Sequence, residues 1–203
     1  MMKRATILLL SLFFAFIVLL CLFTIQEWQR EEQAEWMPKV EFQGDALSDA
    51  EKNDIREAVM GGIIPYKLEY DHINISVMKK NNGYYEIEVF CFSDECEYPD
   101  VYDFSYDGNL VLSGYILEAI PPSERAKAIS VALQNREVAN LVFVKGLEEE
   151  TPSVRRILPE TAVKFYAAKT MLSVTWTKLG KRPSVVSALI DPDVWKVVQV
   201  WNC

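Results

Sequence analysis

The run INISVMKKNNGYYEIEV, Ile73–Val89, decides the fold. Ile73, Ile75 and Val77 alternate with polar residues, and Tyr85, Ile87 and Val89 alternate with Glu86 and Glu88. Asn81-Asn82-Gly83 lies between them, a turn sequence that tolerates left-handed backbone. A period of two on both sides of a tight turn predicts a β-hairpin with one apolar face. Beyond it, a third strand is expected at Val101–Tyr106, a turn at Asp107-Gly108-Asn109 and a fourth strand at Leu110–Leu117. Ahead of it, Ser48-Asp49-Ala50-Glu51 has the spacing of a capping box. Ile55, Ala58 and Val59 share a helical face behind it, and Gly61-Gly62 ends the helix. Helix followed by four antiparallel strands makes a complete unit.

The pattern then restarts. Pro121-Pro122 interrupts the chain, Ser123 is the expected cap of a second helix, and Ala126, Ile129, Ala132 and Leu133 make its apolar face. After the acidic loop Glu148–Glu150, strands are expected over 163–168, 171–178, 185–190 and 195–201, with turns near Gly180 and at Asp191-Pro192-Asp193. Ile55, Ala58 and Val59 fall on Ile129, Ala132 and Leu133 at an offset of 74, and Pro99, Val101 and Asp107 fall on Pro183, Val185 and Asp191 at an offset of 84. The shared order of elements reads as a tandem duplication. Against it stands the ease with which any alternating α+β chain matches itself.

The N-terminal part differs in kind. Ala5–Ile25 is 21 residues without a charge, about 31 Å long as a helix, close to the hydrocarbon thickness of a bilayer. Lys3 and Arg4 precede it and Glu27, Glu31, Glu32 and Glu35 follow, so the positive-inside bias keeps the N-terminus cytoplasmic. Leu20-Cys21-Leu22-Phe23 lacks the small residues of a cleavage site, which favours an uncleaved anchor over a signal peptide or a lipidated Cys21. The expected fold class is α+β: an N-terminal transmembrane helix followed by two helix-plus-antiparallel-sheet units. In residue numbers these are a membrane anchor at 1–25, an acidic stalk or linker at 26–44, a first unit at 45–120 and a second at 121–203.

A helix, meandering hairpins, and the closing segment Ala188-Leu-Ile-Asp-Pro-Asp-Val-Trp-Lys-Val-Val-Gln-Val200 together resemble the PepSY domain and its tandem forms, with the β-lactamase-inhibitor-protein-like group as the related fold. The resemblance implies a non-catalytic regulator of a peptidase or other envelope protein. The sequence departs from the family pattern at Trp195-Lys196, where a Gly before the last strand is usual.

The 203 residues carry 21 Lys and Arg against 29 Asp and Glu, a net charge of −8, and the imbalance is local. Residues 26–124 hold 22 acids and 7 bases, whereas residues 125–203 hold 7 acids and 12 bases. No Lys or Arg occurs from Asn81 to Ser123, and Asp94, Glu95, Glu97, Asp100, Asp103 and Asp107 concentrate six carboxylates there. These six are the candidate contacts for a basic partner. A Ca²⁺-binding surface is the alternative for hard oxygen ligands, although no EF-hand loop signature is present. An exported hydrolase would need two of Asp94, Asp100, Asp103 and Asp107 converging in a cleft with one raised pKa. The net charge and exported location disfavour nucleic acid.

His72 is the sole histidine, so no multi-histidine metal site exists, and no Gly-x-Ser-x-Gly elbow, phosphate loop or CxxC pair is found. No cofactor and no catalytic residue is assigned. Cys91 and Cys96, close in sequence in an oxidising compartment, are the candidate disulfide, with free or differently paired thiols including Cys203 as the alternative. The sequence thus points to a single-pass membrane protein, held in the lipid bilayer through residues 5–25, whose extracytoplasmic part is a non-enzymatic binding or regulatory module for an envelope protein or peptidase.

Overall fold

A computed structural model describes residues 38–45, 47–80, 83–159, 169–180 and 183–203, and Lys39–Cys203 forms one compact unit. The elements are β1 (Lys39–Gly44), α1 (Asp49–Gly62), β2 (His72–Lys79), β3 (Tyr85–Phe92), β4 (Asp100–Tyr106), β5 (Leu110–Leu117), α2 (Pro122–Gln134), α3 (Arg136–Val144), β6 (Ser153–Ile157), β7 (Met171–Lys178), β8 (Ser184–Asp191) and β9 (Lys196–Asn202). Among the described residues the nine strands make one sheet in chain order, β1 to β9. β1 runs parallel to β2 through the α1 crossover, and all later neighbours are antiparallel.

This overturns the expected fold class. In place of two separate α+β units, the described residues form a single mixed sheet with three short helices on it. The break expected at Pro121-Pro122 is only a turn into α2, because β5 and β6 meet at Leu117 and Arg156 and so avoid leaving two open sheet edges. The expected transmembrane helix at 5–25 lies outside the described residues. Among those described, no helix is long and apolar enough to cross a membrane.

β1 forms within the stretch expected to be linker, because Val40 and Phe42 alternate with exposed Lys39 and Glu41 and lie half-buried on β2. Gly44 closes it at φ +103°, where an added Cβ would sit 2.2 Å from the Val77 carbonyl oxygen. α1 begins in the capping box read from sequence: the Ser48 hydroxyl accepts from the Glu51 amide while the Glu51 carboxylate accepts from the Ser48 amide. Its Ile55 and Val59 are fully buried.

The second helical region departs from expectation. It is two helices broken at Asn135, whose side chain caps α3 by accepting from the Glu137 and Val138 amides. α2 starts at Pro122 without a side-chain cap, and its buried face is Ala128 and Ala132 rather than one including Leu133, which is 44 % exposed. Small residues on that face let the helix sit close to the sheet. The expected strand at 163–168 lies outside the described residues, and among those described the second half of the sheet begins with β6.

Cross-strand partners share a sheet face. One row therefore runs through Ile73, Cys91, Asp100, Leu117, Arg156, Leu172 and Ile190, all on the helix-covered side. Every member is at most 1 % exposed. Trp195, where the resemblance wanted a Gly, adopts φ +52°, the left-handed backbone glycine favours, just as Gly108 does in the β4–β5 turn. Its ring is held by Lys127, whose ammonium lies 3.9 Å from the ring centroid.

Candidate functional site

The row just described contains two charges among apolar neighbours, and they face each other across Leu117. The Arg156 guanidinium of β6 forms an ion pair with the Asp100 carboxylate of β4, with side chains 2 % and 0 % exposed. Asp100 is further held by the Tyr70 hydroxyl at 2.6 Å and the Ala119 amide at 2.7 Å. Arg156 also donates to the Ile64 carbonyl at 2.7 Å, and the Tyr102 hydroxyl donates to the same carbonyl at 3.0 Å. Among the described residues, Arg156 Nε and Asn74 Oδ1 are the buried side-chain polar atoms without a hydrogen-bond partner.

Burial pushes the Asp100 carboxyl up, opposed by Arg156, Tyr70 and the Ala119 amide. Burial pulls the Arg156 guanidinium down, but Asp100 and the two tyrosine hydroxyls outweigh it and hold the group above its ordinary range. Tyr70 is driven well above the usual phenol range by burial and then by Asp100, and so is the Cys91 thiol. Ionised Asp100 facing ionised Arg156 is a structural clasp between the halves of the sheet.

The clasp works both ways across the seam. Tyr66, in the loop after α1, packs into the core of the second half with Ile120, Ala128 and Ala132, and its hydroxyl donates to Glu124 at 2.7 Å. Arg156 lies 5.4 Å from the Tyr66 ring centroid while reaching back to Ile64 in the same loop.

The six acidic candidates divide three ways. Asp94, Glu95 and Glu97 are exposed on the β3–β4 loop, where the Asp94 amide donates to the Asp71 carboxylate at 2.7 Å. Asp100 is the buried clasp residue, so it is not a surface contact and cannot meet a partner without unfolding the seam. Asp103 and Asp107 lie exposed at the other end, on β4 and its turn. The structure brings Asp103 instead against Glu88, its direct cross-strand partner on β3.

Glu88 and Asp103 face away from the helices and line an open depression of about 850 Å³ together with Ser76, Met78, Tyr84, Glu86, Asp107 and Val111. Met78 and Val111 are each 56 % exposed there. Glu86 is paired with Lys80 at 2.7 Å, whereas Glu88, Asp103 and Asp107 form no ion pair among the described residues. Directly opposed like charges destabilise a sheet. Glu86 and Glu88 were visible in the hairpin sequence as the polar partners of Ile87, but only the β3–β4 register joins Glu88 to Asp103.

Cys91 and Cys96 are free thiols in the structure, Cys91 buried in the clasp row and Cys96 half-buried in the following turn, and Cys203 is exposed. His72 opens β2, with its Nε2 4.0 Å from a Glu41 carboxylate oxygen and its ring stacked at a tilt 5.9 Å from Phe92. Among the described residues no group of three or more His, Cys, Asp or Glu side chains is placed to hold a metal ion. No family model matches the chain, and no curated protein matches it. The PepSY resemblance therefore rests on the residues quoted for it.

Proposed function

We propose that the protein is a membrane-tethered, non-enzymatic binding module that presents the helix-free face of β2–β5 to a basic surface on another protein of the same compartment. The observation that carries this reading is the Glu88–Asp103 pair. Two unneutralised carboxylates are set directly across adjacent strands on an open face, flanked by exposed Met78 and Val111. Such a pair works against sheet stability, and a cationic partner relieves it. The apolar segment at 5–25 supports tethering, with the module outside the cytoplasm. A regulatory role towards a peptidase or envelope protein follows from the PepSY resemblance.

The test is photocrosslinking from position 105, in the same depression, with the full chain in its native membrane. A crosslinked protein that disappears when Glu88→Lys and Asp103→Lys are combined supports the reading. Retention of the same crosslink in that double variant overturns it.

A further inference from the structure

The C-terminal end of α3 and the tip of the β7–β8 hairpin form an exposed apolar patch. Phe143 is 71 %, Val144 69 % and Leu179 86 % exposed. The two segments adjoin where the Lys178 ammonium, beside Leu179, donates to the Gly146 carbonyl at 3.1 Å, two residues beyond Val144. Large apolar side chains protruding together mark an interaction surface.

The charges beside the patch select its occupant. Lys145 and Lys178 flank it, and their ammonium groups contact main-chain oxygens, those of Cys203 and Gly146, with no carboxylate side chain paired to Lys178 among the described residues. A complementary surface would pair exposed apolar side chains with unneutralised acids. Glu88 and Asp103, flanked by Met78 and Val111, are such a surface, and they lie on the other half of the same sheet. The acidic run Glu148–Glu150 follows the patch but is separated from it by the buried Leu147.

We infer that the patch docks into the Glu88–Asp103 depression of a second copy of this chain, a step that rests on the binding reading above and names its partner. Donor and acceptor surfaces sit on different halves, so the two sides of the contact are unlike patches. Each copy both gives a patch and receives one, so head-to-tail association closes into a ring where the rotation between copies allows and grows open-ended where it does not.

The experiment uses the full chain in detergent micelles and measures mass against protein concentration. Wild type should grow through dimers to larger species. A face variant, Glu88→Lys with Asp103→Lys, and a patch variant, Phe143→Ser with Leu179→Glu, should each lose every species above the monomer. All four positions are on the surface, and a circular dichroism spectrum like that of wild type shows that both variants fold. Mixed in equal amounts, the two variants should form a one-to-one dimer and nothing larger, since each lacks a different half of the contact.

A wild type that stays monomeric at every concentration overturns the inference, as does a mixture that forms no dimer. Binding of monomeric wild type to phosphatidylglycerol vesicles, lost in the patch variant, assigns the patch to lipid and also overturns it. A monomeric wild type that still crosslinks a different protein through position 105 leaves the proposed function standing and removes only the second copy as partner.

Discussion

Arg156 and Asp100, 56 residues apart in sequence, form a fully buried ion pair that reaches across Leu117 and ties the two halves of the sheet together. The backbone contributes little at this place, since Leu117 and Arg156 are the sole register pair between β5 and β6 among the described residues. Side chains supply most of the seam.

Replacing Arg156 alone leaves Asp100 charged, buried and without its countercharge. Arg156→Met is expected to cost about 3–5 kcal/mol in urea unfolding, whereas Arg156→Met combined with Asp100→Leu, which removes both charges, should recover a large part of that loss. Equal destabilisation by the single and double variants would show that the pair does not hold the seam.

Gly44 ends β1 in left-handed backbone against the Val77 carbonyl. Gly44→Ala adds both a strained φ and a Cβ only 2.2 Å from the Val77 carbonyl oxygen, expected to cost on the order of 1–3 kcal/mol. Hydrogen exchange should show the loss at the β1 amides, Lys39 to Gly44, with those of β7 and β8 unchanged. Unaltered protection of β1 would contradict it.

The capping box makes a pH prediction. The hydroxyl and amide of Ser48, then the Tyr85 hydroxyl, hold the Glu51 carboxyl at about 2, below its ordinary 4.5. A carboxyl depressed in the folded state stabilises the fold above the unfolded value and loses that contribution as pH falls from about 4.5 towards 2. The urea midpoint of wild type should therefore drop across this window more steeply than that of Glu51→Gln. An identical acid limb in both proteins would remove Glu51 as a contributor.

Thiol labelling tests the cysteines. Cys203 is exposed, Cys96 is half-buried with its thiol raised by burial and then by Asp100, and Cys91 is sealed in the clasp row. Maleimide should modify Cys203 first, Cys96 more slowly and Cys91 only after unfolding, as read by peptide mass spectrometry. A Cys91–Cys96 peptide resistant to labelling until reduced would show a bridge instead.

What could be read from sequence was local. The Ser48–Glu51 box and the β2–β3 hairpin depend on residues within one turn, and both are formed. β1 escaped notice because Val40 and Phe42 sit among charges and pair with a strand beyond α1. β6 did so because one of its inward positions is an arginine: Val154 and Arg156 alternate with Arg155, a period of two that a count of apolar residues does not register.

Asp100 reads in sequence as one of a run of acids, yet it shares period two with Tyr102 and Phe104, both core residues. A carboxylate on the core face of a strand demands a buried partner, and that phase was the available signal. The Glu88–Asp103 pair needed the inter-strand register, which no single strand reveals.

Strand order that follows chain order has a kinetic consequence. From β2 onward each strand closes on its immediate predecessor, mostly through short loops, so little chain entropy is lost at each step and a chain emerging from its N-terminus can build the sheet progressively. Asp100 then waits, hydrated, until Arg156 has emerged. Dehydrating the two charges together is the step that commits the halves to one another, and a chain stalled before β6 keeps a solvated carboxylate where the finished protein has its driest row.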